Sequence, residues 1–275
     1  MKTETQKKFS QLKKYLLNLG EAAIAFSGGT DSTLLLTVAK EILGEKTLAI
    51  TAETPYMPQW ELHEAEDFIR KKDIDQVIVS LGIHERIQNN PPQRCYFCKS
   101  SLFKALIDAA RSKGFIHVMD GTNASDTSDY RPGLRALREL NIKSPLLETG
   151  ITKEEVREIS DELNLPTWNK PAYACLLTRL PFDQPVEEKA LRAIENAEVY
   201  IMKMGYKEVR VRKHHNLARI ELPAEKISPF MTRPDLPEIV DSIKKIGFTY
   251  VTVDLAGYTT GSFNQEIPDS VREEI

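Results

Sequence analysis

The chain has 275 residues and a mass of 31.2 kDa, and 37 lysines and arginines against 40 aspartates and glutamates leave a formal charge of −3. A hydrophobic fraction of 41% is enough to form a core, and this length suits one large domain or two smaller ones. No apolar run approaches the roughly 18 residues of a membrane span, and the polar N-terminus lacks the apolar stretch of an export signal. We therefore expect a cytoplasmic protein with no membrane partner.

The first half of the chain alternates short apolar segments with amphipathic ones. Apolar runs predict strands at 22–26, 47–51, 76–79 and 117–120. Apolar residues at helical spacing predict helices at 9–19, 33–43, 59–71 and 100–113. Strands that alternate with helices are typical of a parallel sheet, so the sequence predicts an α/β fold.

The pattern changes after Thr152. The string Thr152-Lys153-Glu154-Glu155 is a capping box, which opens a predicted helix that ends near Leu163. An extended stretch follows that contains Pro166, Pro171, Pro181 and Pro185. Beyond it we predict a helix at 186–204, strands at 208–212 and 217–222, a helix at 237–246 and a strand at 249–255. These boundaries predict a parallel-sheet domain over 1–170 and a smaller α+β domain over 171–275, which carries no excess of basic residues.

The segment Ser27-Gly28-Gly29-Thr30-Asp31-Ser32 is the candidate nucleotide site. It lies between a predicted strand and a predicted helix, where open α/β sheets bind ligands. The two glycines let backbone N–H groups point towards one ligand, the helix dipole favours negative charge, and the hydroxyls add donors, which together suit phosphate. Asp31 would repel phosphate unless a cation intervenes, so we expect it to bind Mg²⁺. The alternative is a glycine-rich turn with no ligand.

Three cysteines, Cys95, Cys98 and Cys175, form a second candidate site. An odd number in a chain without a secretory signal argues against a disulfide framework. Three thiolates leave one position open on zinc, for which His63 or His84 would be the fourth ligand, and one iron open on a [4Fe–4S] cluster. A redox pair of Cys95 and Cys98 is also open, because a thiol just before a helix has a lowered pKa. The remaining alternative is that the three thiols have no functional role.

The string Ser27 to Ser32 resembles the SGGxDS motif of the PP-loop ATP pyrophosphatases, whose fold is adenine nucleotide alpha-hydrolase-like. Members of that superfamily bind ATP, transfer AMP to a substrate oxygen and release pyrophosphate. Gly121-Thr122-Asn123-Ala124-Ser125-Asp126 is similar to their second nucleotide loop, and Thr51 follows the second predicted strand, where adenine is usually held. The resemblance implies that ATP is bound by Ser27, Gly28, Gly29, Asp31, Ser32, Thr51 and Gly121.

Almost the whole chain resembles the pyridinium-3,5-biscarboxylate mononucleotide sulfurtransferase (LarE) family, which makes the thiocarboxylates of the nickel-pincer cofactor of lactate racemase. The segments that carry this resemblance are 27–32, 121–126, 129–133, 144–146, 152–154, 171–179, 218–221, 254–258 and 261–264. Some members sacrifice the sulfur of the cysteine that matches Cys175. Others also have a CxxC and are thought to hold a [4Fe–4S] cluster whose free iron binds the transferred sulfide, and Cys95 and Cys98 place this sequence among them.

The same resemblance implies roles for the basic strip between residues 210 and 219. Arg210 and Arg212 alternate along a predicted strand and therefore share one face, and the resemblance implies that they hold the substrate's phosphate, which suits arginine's bidentate geometry. The alternative is a solvated edge strand protected by its charges. Glu221 is a candidate salt-bridge partner of Arg219 or a metal ligand. Thr259 stands where members often have arginine, which puts one contact to substrate or to a neighbouring subunit in doubt.

The resemblance thus implies a homo-oligomeric enzyme that binds Mg·ATP, adenylates the carboxylate of a small pyridinium mononucleotide and replaces AMP with sulfide from a donor that the sequence does not identify. A tRNA-thiolating enzyme of the same superfamily is the main alternative. The acidic balance and the missing basic domain weigh against it, because nucleic-acid binding needs many Lys and Arg residues facing phosphates. An ammonia-using synthetase, a nucleotide-binding module and a redox or metal sensor are the remaining alternatives.

Overall fold

The computed structural model describes residues 1–128, 132–171 and 174–258, which divide into two compact units. The first unit comprises residues 1–84 and 95–171, and the second comprises residues 85–94 and 174–258. The strands are β1 Ala22–Ala25, β2 Thr47–Glu53, β3 Asp75–Ser80, β4 Val118–Met119, β5 Arg210–His214, β6 Leu217–Glu221 and β7 Tyr250–Val253. The helices are α1 Thr3–Leu19, α2 Thr30–Leu43, α3 Gln59–Lys72, α4 Arg94–Ser112, α5 Pro132–Glu139, α6 Pro145–Glu148, α7 Lys153–Glu162, α8 Glu188–Met202, α9 Ala224–Met231 and α10 Leu236–Ile246.

The first unit is built on a four-stranded sheet in the order β3-β2-β1-β4, and every neighbouring pair is parallel. Helices cover both faces, which explains why β1 is apolar throughout instead of alternating with polar residues. Ala22 and Ile24 join the core that contains α1, α2 and α7, whereas Ala23 joins the core that contains α4. The predicted α/β fold with a parallel sheet is confirmed.

Several boundaries differ from those predicted. Helix α4 begins at Arg94 and not near residue 100, because the prediction followed apolar spacing, which is absent from the first turns of the helix. Strand β2 continues to Glu53, which pairs with Ser80 of β3, so Thr51 lies inside the strand and not after it. Helices α5, α6 and α9 were not predicted. Each has eight residues or fewer, which is too short for a helical spacing of apolar residues to be recognised in the sequence.

The second unit contains a three-stranded sheet in the order β5-β6-β7. Strands β5 and β6 form an antiparallel pair, whereas β6 and β7 are parallel, and α9 and α10 provide the crossover that a parallel pair needs. Helix α8 buries an apolar stripe that includes Leu191, Ile194 and Ile201. We propose that this unit is the smaller α+β domain expected over 171–275. Within the described ranges no helix is both long and apolar enough to cross a membrane.

Helix α7 starts at the capping box that the sequence predicted. Thr152 Oγ1 accepts a hydrogen bond from Glu155 N at 3.3 Å, and a Glu155 carboxylate oxygen accepts one from Thr152 N at 2.8 Å. We expect Thr152→Ala to lower the free energy of unfolding by about 1 kcal/mol, because it leaves a helix-terminal N–H without its acceptor. Urea denaturation measures the change. Thr3→Ala, at the exposed start of α1, is the control, and an equal loss in both variants would contradict the assignment.

Candidate functional site

The loop between β1 and α2 forms one side of the candidate nucleotide site. Gly28 has a φ of +68°, and a Cβ at this position would lie 3.0 Å from Ala65 Cβ of α3, so glycine is required both by conformation and by space. The Ser27 and Ser32 hydroxyls lie 3.2 Å apart, and Gly29 N donates to Ser27 Oγ at 3.4 Å. The loop therefore gathers hydroxyls and a backbone N–H at the start of α2, as the sequence predicted.

The loop after β4 lies directly against the start of α2. A Cβ at Gly121 would be 2.9 Å from Ser32 N and 3.1 Å from Asp31 Cβ, so no larger residue fits there without a shift. Strands β1 and β4 are parallel neighbours, and their carboxyl ends bring the two loops to the same edge of the sheet. The first unit thus combines both predicted nucleotide loops into one site.

Asp31 is held by side chains from two other segments. Lys153 Nζ donates to Asp31 Oδ2 at 2.6 Å, and Asn123 Nδ2 donates to Asp31 Oδ1 at 3.1 Å. Lys153 opens α7, where the helix dipole disfavours a cation, and the Asp31 carboxylate compensates this cost. Aspartate at a phosphate-binding loop is the donor type that Mg²⁺ prefers, so the donor chemistry of Asp31 fits the predicted ion.

Lys153 is a functional candidate that sequence reasoning did not single out. The SGGTDS loop lacks the lysine of the usual P-loop, and Lys153 brings a cation to the same place from a position 122 residues further along the chain. The sequence signal at Lys153 is its place in the string Thr152-Lys153-Glu154, which opens the capping box and matches the LarE family. A lysine that faces a phosphate-binding loop can neutralise phosphate charge.

Thr51, the predicted adenine contact, is a buried residue of β2. Its hydroxyl accepts a hydrogen bond from Gln76 Nε2 of β3 at 2.9 Å, so the side chain is already engaged within the sheet. The expectation that Thr51 follows its strand was wrong, because the residues up to Glu53 continue the pairing with β3. Its contact with adenine stays a prediction.

Cys95 and Cys98 lie in the first two turns of α4. The expectation that Cys98 precedes the helix was wrong, since α4 begins at Arg94. Residues three apart share a helix face, so both thiols are presented on one side, Cys95 exposed and Cys98 half-buried. The hydroxyl of Tyr56 lies 3.2 Å from Cys98 Sγ.

The third cysteine, Cys175, belongs to the second unit. Among the residues that the structure describes, no group of three or more His, Cys, Asp or Glu side chains is placed to hold a metal ion. The donor chemistry of three thiolates still suits iron or zinc. The [4Fe–4S] cluster and the zinc alternative therefore stay predictions.

The backbone around Cys175 is fixed by hydrogen bonds within the second unit. The Cys175 carbonyl accepts from Thr178 N at 3.1 Å, from Thr178 Oγ1 at 2.9 Å and from Arg179 Nη1 at 3.3 Å. Asn90 Nδ2 donates to the carbonyls of Leu180 and Pro181 at 3.0 and 2.9 Å. These bonds hold Cys175 at the start of a tight turn.

Arg179 joins this turn to helix α8 through a buried ion pair with Glu198. Its Nε and Nη2 donate to the two Glu198 oxygens at 2.9 and 3.2 Å, and its Nη1 donates to the Ala174 carbonyl at 2.7 Å. Burial alone would lower the pKa of the Arg179 guanidinium, but attraction to Glu198 and the hydrogen bonds between them raise it above the usual value. Arg179 therefore stays charged. Sequence reasoning did not assign it a role.

Arg210 and Arg212 are buried, with 4% and 5% of their surface exposed. Arg212 Nε donates to Glu221 Oε1 at 2.5 Å, and its Nη1 donates to the Thr178 carbonyl at 2.7 Å. Arg210 Nη1 donates to the Val209 carbonyl at 2.8 Å. Strand β5 does lie at an edge of its sheet, but the expectation that its arginines are solvated was wrong. Glu221 is a salt-bridge partner that also accepts from Arg219. Phosphate binding by the two arginines stays a prediction.

The fold and the paired loops at the carboxyl ends of β1 and β4 define a PP-loop ATP pyrophosphatase. The chain is 33% identical over 255 residues to a pyridinium-3,5-bisthiocarboxylic acid mononucleotide synthase of Lactiplantibacillus plantarum, with 92% of each chain covered. It is 42% identical over 262 residues to the uncharacterized protein slr1717 of Synechocystis sp., which covers 94% of this chain and 98% of the relative.

A more distant relative supports the superfamily. It is a subunit of the glutamine-hydrolyzing GMP synthase of Thermoplasma volcanium, which is 29% identical over 171 residues that cover 55% of this chain and 54% of the relative. No protein-family model matches the chain. The chain belongs to the LarE family of pyridinium-3,5-biscarboxylate mononucleotide sulfurtransferases and is an enzyme of the sulfurtransferase class.

Thr259 and the matching segments 129–131 and 261–264 lie outside the described residues.

Lys153 gives a direct test of the nucleotide site. We expect Lys153→Met to weaken ATP binding about 10- to 100-fold, because a charge-assisted hydrogen bond to phosphate contributes about 1.5–3 kcal/mol. Calorimetry with a non-hydrolysable ATP analogue measures the affinity. Lys8→Met is the matched control, since Lys8 Nζ pairs with Glu155 of the same helix at 2.8 Å. Unchanged affinity in Lys153→Met, or the same loss in both variants, would contradict the role.

The Arg179–Glu198 pair gives a test of the second unit. Arg179→Met leaves the Glu198 carboxylate buried without its cation, so we expect the free energy of unfolding to fall by about 3–5 kcal/mol. Chemical denaturation followed by circular dichroism measures this loss. Arg135→Met, which removes the exposed pair with Glu139, should leave stability unchanged. Equal stability of Arg179→Met and the wild type would show that the buried pair does not hold the Cys175 turn.

Proposed function

We propose that this enzyme uses ATP to convert a carboxylate of pyridinium-3,5-biscarboxylic acid mononucleotide into a thiocarboxylate, a step in the synthesis of the nickel-pincer cofactor. The observation that carries the proposal is the single site formed by the Ser27–Ser32 loop and the Gly121–Asn123 segment around Asp31 and Lys153. The bisthiocarboxylic acid synthase of L. plantarum, similar over 92% of both chains, indicates the substrate class.

The first step is the transfer of AMP to the substrate. A carboxylate oxygen of the substrate attacks the α-phosphorus of ATP, an O–P bond forms, and the bond to pyrophosphate breaks with its electron pair on the departing pyrophosphate. The hydroxyls of Ser27 and Ser32 and the N–H groups of Gly28 and Gly29 would hold that leaving group. Lys153 would neutralise phosphate charge that Asp31 alone would repel.

The proposal also requires residues that bind Mg²⁺ and the substrate. Asp31 would hold Mg²⁺, which supplies positive charge to the phosphates when it is bound. Arg210 and Arg212 would hold the substrate's own phosphate, and the contact of Arg212 with the Thr178 carbonyl ties their strand to the turn that starts at Cys175. Thr51 would contact adenine from β2.

The second step replaces AMP with sulfur. Sulfide attacks the carboxyl carbon of the adenylate, a C–S bond forms, and the C–O bond breaks with its electron pair on AMP. The product is a thiocarboxylate, and AMP leaves with an oxygen that came from the substrate. Adenylation is needed because a carboxylate oxygen is a poor leaving group, whereas AMP is a good one.

A [4Fe–4S] cluster would be held by Cys95, Cys98 and Cys175. When bound, such a cluster supplies one iron that has no cysteine ligand and can bind sulfide. What supports this proposal is the donor set: three soft thiolates, two of which share one face of α4. Such a cluster would make the enzyme sensitive to oxygen, so we expect function under reducing conditions. The homo-oligomeric state and the cytoplasmic location stay predictions.

The metal content of the protein tests the cluster. We expect anaerobically purified protein to hold about four irons and four acid-labile sulfides per chain and no zinc, and Cys175→Ala to lose them. Chemical analysis and the visible absorption spectrum give both values. Tyr96→Phe is the control, because it changes one of the two residues between Cys95 and Cys98 and keeps all three thiols.

Sulfur transfer by the same variants tests the proposed chemistry. The double variant Cys95→Ala, Cys98→Ala should form no thiocarboxylate, and multiple turnovers by that variant would contradict the proposal. An iron-free, colourless wild-type protein after anaerobic reconstitution would instead favour Cys175 itself as the sulfur source, for which we expect one turnover per chain. A gel shift with bulk tRNA at physiological salt tests the competing tRNA thiolation, for which we expect no binding.

A further inference from the structure

Arg94 is a buried cation with no carboxylate partner among the described residues. Only 5% of its surface is exposed, and its Nε and Nη1 atoms have no hydrogen-bond partner in the described part of the chain. Its guanidinium lies over the ring of Phe182, 4.3 Å from the ring centre. A cation over an aromatic ring recovers only part of the cost of removing an arginine from water.

The other buried arginines of the second unit have polar partners. Arg179 pairs with Glu198, Arg212 pairs with Glu221, and Arg210 donates to a backbone carbonyl. A buried charge is normally paired, because an uncompensated one destabilises the fold. Among the described residues, Arg94 departs from this pattern.

Arg94 is held in place by its own segment. Asn90, which is fully buried, donates to carbonyls of the turn that follows Cys175, and Val186 N donates to the Gln88 carbonyl at 2.7 Å. The segment 85–94 is thereby fixed to the second unit, and Arg94 N closes a turn onto the Pro91 carbonyl at 2.9 Å. A side chain on such a support is positioned before any ligand arrives, which lowers the cost of binding.

We propose that Arg94 is the anchor of an oxyanion-binding site in the second unit and that its ligand is a phosphoryl group. Guanidinium nitrogens in a planar fork match two phosphoryl oxygens. The choice of a phosphoryl group rests on the proposed function, in which ATP, AMP, pyrophosphate and the substrate all carry one.

Anion-dependent thermal stability tests the site. The wild type, Arg94→Met and Arg94→Lys are heated in buffer free of oxyanions and then with inorganic phosphate at increasing concentration. We expect phosphate to raise the melting temperature of the wild type by a few degrees, Arg94→Lys to show a smaller rise, and Arg94→Met to show only the part of the rise that the nucleotide loop of the first unit contributes. If the methionine variant does not fold, Arg94→Gln takes its place with the same expectation.

The nucleotide loop of the first unit also binds phosphate under the proposed function, so the series is repeated in the Lys153→Met background. An Arg94-dependent rise that survives there supports a separate site. AMP and nicotinic acid mononucleotide, a pyridinium carboxylate mononucleotide, distinguish the source: the one with the larger Arg94-dependent rise contributes the phosphoryl group. A wild type that phosphate does not stabilise, or an Arg94→Met variant that keeps the full rise, would overturn the proposal.

This readout does not depend on sulfur transfer. An iron-free protein that still shows the Arg94-dependent rise would support the anion site while the cluster proposal fails. A protein with four irons and no Arg94-dependent rise would support the cluster, and the anion-site proposal would fail.

Discussion

The first unit depends on the contact between two loops at the ends of neighbouring strands. Gly121 approaches the first turn of α2 so closely that a single added carbon would meet Ser32 N at 2.9 Å. This approach places Asn123 on Asp31 and lets Lys153 reach the same carboxylate. The parallel sheet brings the two loops to one edge, and the glycines allow their close approach. The Asp31–Lys153 pair then provides a carboxylate for Mg²⁺ and a cation for phosphate at the SGGTDS loop.

In the second unit, buried arginines fix the geometry around Cys175. Arg179 binds the carbonyls of Ala174 and Cys175 on one side and Glu198 on the other, and Arg212 reaches the same turn from β5. Buried ion pairs add little net stability compared with apolar packing, so their value here is positional. They hold Cys175 at the start of a turn in which the carbonyls of Ala174, Cys175 and Thr178 accept hydrogen bonds from these arginines.

Much of the fold could be predicted from local sequence signals. The apolar strands, the glycine turn at 27–32 and the capping box at Thr152 depend on residues close in the chain, and the parallel sheet and α7 follow from them. The early start of α4 was missed because polar and aromatic residues near Cys95 give no apolar period. The pairs of Asp31 with Lys153 and of Arg179 with Glu198 join residues 122 and 19 positions apart, which no local pattern reveals.

The central claim is that ATP activates a substrate carboxylate. The most direct measurement uses substrate labelled with ¹⁸O in its carboxylates, followed by mass spectrometry of the AMP released during sulfur transfer. Because the carboxylate oxygen attacks the α-phosphorus and later leaves with AMP, adenylation predicts one ¹⁸O atom in each AMP. AMP without label, or formation of ADP in place of AMP, would contradict adenylation and with it the assignment of the Ser27–Ser32 loop as the pyrophosphate site.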